Sequence, residues 1–165
     1  MQTLEPLLAR HEFFRDLDPG YLSLLVECAS NVRFAGGTFL FREGDPAQQF
    51  FLIREGKVAL EMAAPGRGQL VVQTVGEGGV VGVSWLFPPY RYQFDGRAIS
   101  PVRALALDGV CLRGHCEQDP RLGYALMQRF ARIVVQRMHG RSRTRQAAAA
   151  AWPAAAGWRG GRRAA

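Results

Sequence analysis

The spacing of apolar residues changes twice along this chain. Leu4, Leu7, Leu8 and Phe14, with His11 among them, recur at three- and four-residue steps. That spacing predicts an amphipathic helix over roughly residues 3–15. Asp18-Pro19 then supplies an N-cap and a proline at the first helical position. Tyr21, Leu22, Leu25, Cys28 and Ala29 line one face of the second short helix that follows. From Thr38 the period falls to two. Phe39 and Phe41 alternate with Leu40 and Arg42, as in a strand with one face buried. Glu43-Gly44-Asp45-Pro46 ends it, and Phe50 to Ile53 is apolar on both faces. Glu55-Gly56 signals a hairpin, after which Val58, Leu60 and Met62 oppose Lys57, Ala59 and Glu61. Leu70 to Val75, Val80-Val81 and Val102 to Asp108 continue as strands between turn-forming stretches. Helical spacing returns at Val110, Cys111 and Leu112, and again after Asp119-Pro120.

Short strands separated by glycine turns and flanked by helices predict a mainly β fold. The pattern suits an antiparallel roll or small barrel, with N-terminal helices and a long C-terminal helix. The expected divisions are a helical segment over 1–30, the roll over 31–108 and two C-terminal helices over 109–146. A basic, alanine-rich tail over 147–165 is expected to be disordered.

Composition narrows the class. The chain has 165 residues, 48% of them apolar, which suits one globular domain. No window approaches the roughly 18 apolar residues of a membrane span. The N-terminus carries acids rather than a basic-then-apolar leader, so a cytoplasmic protein with no membrane partner is expected. The net charge of +7 is unevenly placed: all fourteen acidic side chains precede Pro120, and ten arginines lie beyond it. Such asymmetry suits a solvated helix face, an acidic partner or nucleic acid. Cys28, Cys111 and Cys116 are odd in number and form no Cys-x-x-Cys pair, which predicts buried free thiols in a reducing compartment. Cys111 and Cys116 flank His115 at a spacing that matches no common zinc site, so no metal is expected. His11, His115 and His139 all fall outside the roll, which leaves no cupin-type histidine set and predicts no catalytic residues.

Phe41, Glu43-Gly44-Asp45, Ala47, Phe50-Phe51, Ile53, Gly56 and Val58 resemble the first half of the cyclic-nucleotide-binding domain. That β-roll sensor is shared by the catabolite activator class, the regulatory subunits of the cyclic-AMP kinase and gated channels. The resemblance implies an antiparallel β-roll, a double-stranded jelly roll, in which Gly82 to Phe94 is the ligand cassette. Its one-turn helix would turn backbone N–H groups to the cyclic phosphate. A glutamate after the glycine would take the ribose hydroxyl, and an arginine on the next strand would close on the phosphate. Gly82, Val83, Ser84, Trp85, Leu86, Arg91, Tyr92 and Gln93 hold those places here. Val83 stands where the glutamate belongs. Counting back from the closing strand puts Tyr92 and Gln93 where the arginine and its small neighbour belong. Arg91 falls on the opposite face, and Arg97 lies further along.

A charged hydrogen bond is worth about 1.5–3 kcal/mol, so losing two costs about 3–6 kcal/mol. Affinity then falls roughly a hundred- to ten-thousandfold. Three states stay open: a pocket filled by Trp85, Phe87 and Tyr92; a pocket for a less anionic ligand; and a weak nucleotide site built from the Gly82 and Ser84 amides with Arg91. The cofactor is unknown, a cyclic nucleotide being the small molecule the resemblance suggests. The resemblance further implies a homodimer through the long helix, with Leu126, Phe130, Ile133, Val134 and Met138 facing the twin. The residues after that helix are too few for a winged helix-turn-helix, so specific DNA binding of the family's kind is not expected. The resulting expectation is a non-catalytic sensor module acting through a protein partner. The alternatives are a true cyclic-nucleotide regulator and nucleic-acid contact through the arginine-rich helix and tail.

Overall fold

A computed structural model describes the backbone of residues 4–151 and the side chains of residues 4–139. Of the tail expected to be disordered over 147–165, residues 147–151 belong to the last helix, and the remainder lies outside the described residues. The chain divides into two units, Met1–Phe130 and Ala131–Ala165, and the described part of the second continues the last helix.

In chain order the elements are α1 (Glu5–Arg10), α2 (Pro19–Glu27), β1 (Ala29–Phe34), β2 (Phe39–Phe41), β3 (Gln49–Glu55) and β4 (Val58–Ala64). Then come β5 (Gly68–Val75), β6 (Val80–Val81), β7 (Asp95–Ala98), β8 (Val102–Asp108), α3 (Gly109–Gln118) and α4 (Pro120–Ala151). Single 3-10 turns lie at Glu12–Phe14 and Val83–Leu86. The strands form two four-stranded antiparallel sheets, ordered β1-β8-β3-β6 and β2-β7-β4-β5. This is the expected β-roll with flanking helices.

β3 explains why its sequence is apolar on both faces. Adjacent residues of a strand point opposite ways. Phe51 meets Phe34 and Phe41, whereas Phe50 meets Phe13, Trp85 and Phe130. One face thus packs within the roll and the other under the helical segments. Gly56 makes the β3–β4 turn at φ 89°, and a side chain there would collide with the Pro101 carbonyl.

Three local expectations are corrected. The first helix ends at Arg10 rather than near residue 15, because His11 takes an extended conformation. Its ring Nδ1 then accepts from the Phe13 N–H at 3.3 Å, capping the 3-10 turn. The alternation of β4 fails at Glu61, which is buried at 3% exposure while Met62 is exposed at 42%. β4 is covered on both faces from Val58 to Glu61, so the carboxylate, on the same side as Ala59, is buried; the register shift with β5 places its extra residue, Val72, on β5. Finally, Cys28 and Cys111 form a disulfide, leaving Cys116 as the free thiol, so the expectation of three free cysteines is wrong. Pairing of Ala29 with Leu107 brings the two together across 83 residues of chain. No helix among the described residues is long and apolar enough to cross a membrane.

Candidate functional site

The cassette starts where β6 runs out of room. Gly82 has φ 85°, and a Cβ there would approach the Gln49 carbonyl oxygen to 3.0 Å and the Tyr92 ring to 3.4 Å. Only glycine combines that backbone with that proximity. Val83–Leu86 then make a single 3-10 turn with Val83, Ser84 and Leu86 half-buried. Trp85 is wholly buried, stacked on Phe50 at 5.0 Å and edge-on to Phe130 at 5.6 Å. Its indole N–H has no hydrogen-bond partner, a polar cost accepted for about the largest apolar side chain available. Phe87, one of the side chains expected to fill a pocket, is instead exposed.

In the segment that leads into β7, Arg91 and Tyr92 face opposite ways, one exposed and one buried. Arg91 is exposed and donates from Nη1 to the Gly44 carbonyl at 2.7 Å. Gln93 is also exposed and donates to the Arg91 carbonyl at 3.1 Å. Tyr92 turns inward. Its ring stacks on Phe41 with centroids 4.2 Å apart. Its hydroxyl donates to the Gln49 carbonyl at 2.7 Å and lies 3.3 Å from the Gln49 N–H, which it accepts. Burial, chiefly, pushes its phenol above the ordinary tyrosine value, so the hydroxyl stays neutral.

Arg97, the other candidate phosphate ligand, is engaged elsewhere. Its Nε donates to both Glu61 oxygens at 3.0 and 3.1 Å, and Nη2 donates to Oε1 as well. That carboxylate holds the guanidinium pKa above its usual value. Asp95, also buried, accepts from Arg42 Nε at 3.1 Å and from the Glu43 N–H at 2.7 Å. Sequence reasoning missed both acids. The period-two pattern put Glu61 on the solvent face, and nothing in local spacing signals that both faces of β4 are covered there.

Arg113 on α3 clasps the cassette from outside. It donates to the Trp85 carbonyl at 2.5 Å and lies 4.3 Å over the Tyr90 ring. A cleft of about 260 Å³ opens there, lined by Pro46, Gln48, Pro89, Tyr90, Arg91 and Arg113 among others. Ligand sites for drug-sized molecules run roughly 300–1,000 Å³, so this cleft is small for a nucleotide. The helix stripe expected to face a twin is split. Leu126 and Phe130 are buried in the chain's own core, Phe130 against Phe13, Phe50 and Trp85, so neither can face a second copy. Ile133 is half-buried, whereas Val134 and Met138 are exposed.

The model of the cyclic nucleotide-binding domain matches residues 31–119, more than half of the chain. The chain belongs to that family. It is similar to a Geobacter metallireducens protein named as a cyclic nucleotide-binding protein. That likeness has a TM-score of 0.75 at 32% identity, covering 84% of this chain and all of the other. The N-terminal domain of a transcriptional regulator from Streptomyces coelicolor is similar at 31% identity and TM-score 0.63, over 79% of this chain and 93% of that one. A CRP-like cAMP-activated global transcriptional regulator of Mycobacterium tuberculosis is 26% identical over 129 residues, 78% of this chain. The chain spans 58% of that relative's length. This family member has the roll, and a one-turn helix that follows a glycine of positive φ at Gly82.

Proposed function

We propose that this cyclic-nucleotide-binding domain is a non-catalytic regulatory module that works without a cyclic nucleotide, its ligand position taken by its own side chains and its shape read by a protein partner. The observation that carries this reading is Tyr92. Its ring lies against Gly82 and Phe41 with the hydroxyl tied to Gln49. An incoming ribose phosphate would have to displace that ring and find a counter-charge. Arg97 is committed to Glu61, and Arg91 is directed to Gly44 on the exposed side. Trp85 supports the same reading, since its stacking on Phe50 and edge-on contact with Phe130 make the cassette turn part of the core.

The module pairs with a second copy of itself through α4. Tyr124, Met127, Val134, Val135 and Met138 are exposed apolar side chains at steps of three, four and seven on that helix. Such spacing suits a helix-to-helix seam. They replace Leu126 and Phe130 in the expected interface.

Thermal denaturation with cyclic AMP and cyclic GMP tests the ligand reading. A ligand that binds only the folded state stabilises it by RT ln(1 + [L]/Kd). The expected result is no shift in Tm with either nucleotide at tens of micromolar. A rise of several degrees would overturn the reading.

A further inference from the structure

Three metal-ligating side chains converge outside the cassette. Cys28 caps the C-terminus of α2, and Cys111 lies in the first turn of α3 with His115 one turn further along. The ligand atoms of all three lie within 4.8 Å of one another. The Glu27 carboxylate stands 3.9 Å from His115 Nε2. Contacts beside the disulfide also hold these segments together. Ala29 pairs with Leu107, the Asp108 N–H donates to the Cys28 carbonyl at 2.8 Å, and the Asp108 carboxylate accepts the Cys111 N–H at 2.9 Å. A disulfide needs two residues. A third nitrogen donor placed at i+4 on the same helix face, with a carboxylate beside it, is more than a disulfide requires.

We propose that Cys28, Cys111 and His115, with Glu27 or water in the fourth position, form a site for a thiophilic divalent cation such as Zn²⁺, which is available only when the Cys28–Cys111 bond is reduced. Two thiolates and an imidazole are a borderline-soft donor set, and four ligands around Zn²⁺ adopt a tetrahedron. A dithiol reductant opens the bond: it gives two electrons and two protons, closes to its own disulfide and leaves two protein thiols. The cation then displaces both protons as the thiolates bind. Disulfide and cation exclude each other, so the joint between α2 and α3 is crosslinked either covalently or through the ion. This inference rests on unit-one geometry alone and is independent of the ligand reading of the cassette.

The test is titration of the full chain, reduced with a phosphine and cleared of it without oxygen, with Co²⁺ and then Zn²⁺. One Co²⁺ per chain is expected, with a sulfur-to-cobalt charge-transfer band and strong tetrahedral d–d absorption, both lost on adding Zn²⁺. The oxidised chain should show neither. Cys111→Ser should weaken the charge-transfer band, and His115→Ala should lower Co²⁺ affinity by at least roughly tenfold. Cys116→Ser, which leaves the three donors in place, should change nothing. Absence of the band in the reduced chain overturns the proposal, as does a band unaffected by Cys111→Ser and His115→Ala, or one lost with Cys116→Ser.

Discussion

Tyr92 and His11 are single residues whose surroundings dictate their chemistry. The Tyr92 hydroxyl satisfies both backbone groups of Gln49. Tyr92→Phe should therefore lower unfolding free energy by about 1–2 kcal/mol, readable from urea midpoints. Replacing Val83 with glutamate and Tyr92 with arginine together rebuilds the charges the family uses. Cyclic-AMP affinity should rise at least roughly tenfold by calorimetry, given about 1.5–3 kcal/mol for each charged hydrogen bond. No gain would show that the gapless count to Tyr92 is wrong. His11 is buried, and because Nδ1 accepts from Phe13, its proton sits on Nε2, which lies 3.4 Å from the Ile53 carbonyl. Desolvation is the main cause that lowers its pKa below the ordinary 6.5. The unfolded chain therefore takes up a proton below about pH 6.5 that the folded chain refuses. Stability from this group is complete above that pH and declines as pH falls towards the folded value. His11→Asn should flatten this part of the pH profile of Tm, and an unchanged profile would assign the dependence elsewhere.

The elements were legible where packing is local. The strand pattern from Thr38 and the paired Asp-Pro helix starts reappear as β2 to β4, α2 and α4, because glycine turns and proline caps act within a few residues. The exceptions have tertiary causes. α1 stops at His11 because the ring bonds to Phe13 and reaches Ile53 on a distant strand. β4 loses its alternation because both its faces are covered from Val58 to Glu61, where Arg97 on neighbouring β7 pairs with the buried carboxylate. Among the aromatic contacts, Phe130 connects α4 to three rings, Phe13, Phe50 and Trp85. Phe130→Ala should cost about 3–5 kcal/mol, measured by denaturant unfolding. A cost below about 1 kcal/mol would mean that α4 is not docked on the roll as far as this residue.

For the whole molecule, the question is what the exposed side of α4 meets. Burial of Leu126 and Phe130 uses one stripe of the helix, and Tyr124, Met127, Val134 and Val135 remain exposed. Apolar side chains repeating along one helix are an interaction surface more often than a solvated one. Sedimentation at micromolar concentration should give a dimer, and Met127→Glu combined with Val134→Glu should give a monomer with an unchanged circular dichroism spectrum. A monomeric wild-type chain would remove the homodimer from the proposal.

By itself the sequence showed a mainly β fold with flanking helices, because these follow from period, turn residues and caps that operate over short stretches, while the expected place of the cassette came from the family resemblance. The resemblance, counted without gaps, leads to the expectation that Val83 and Tyr92 stand at positions the family fills with charge. Only the tertiary structure decided what fills that space. The stacking of Tyr92 on Phe41, the pairing of Arg97 with Glu61 and the meeting of Cys28 with Cys111 and His115 all join residues far apart in the chain. Their distances depend on strand order and register, and short-range patterning carries no record of either.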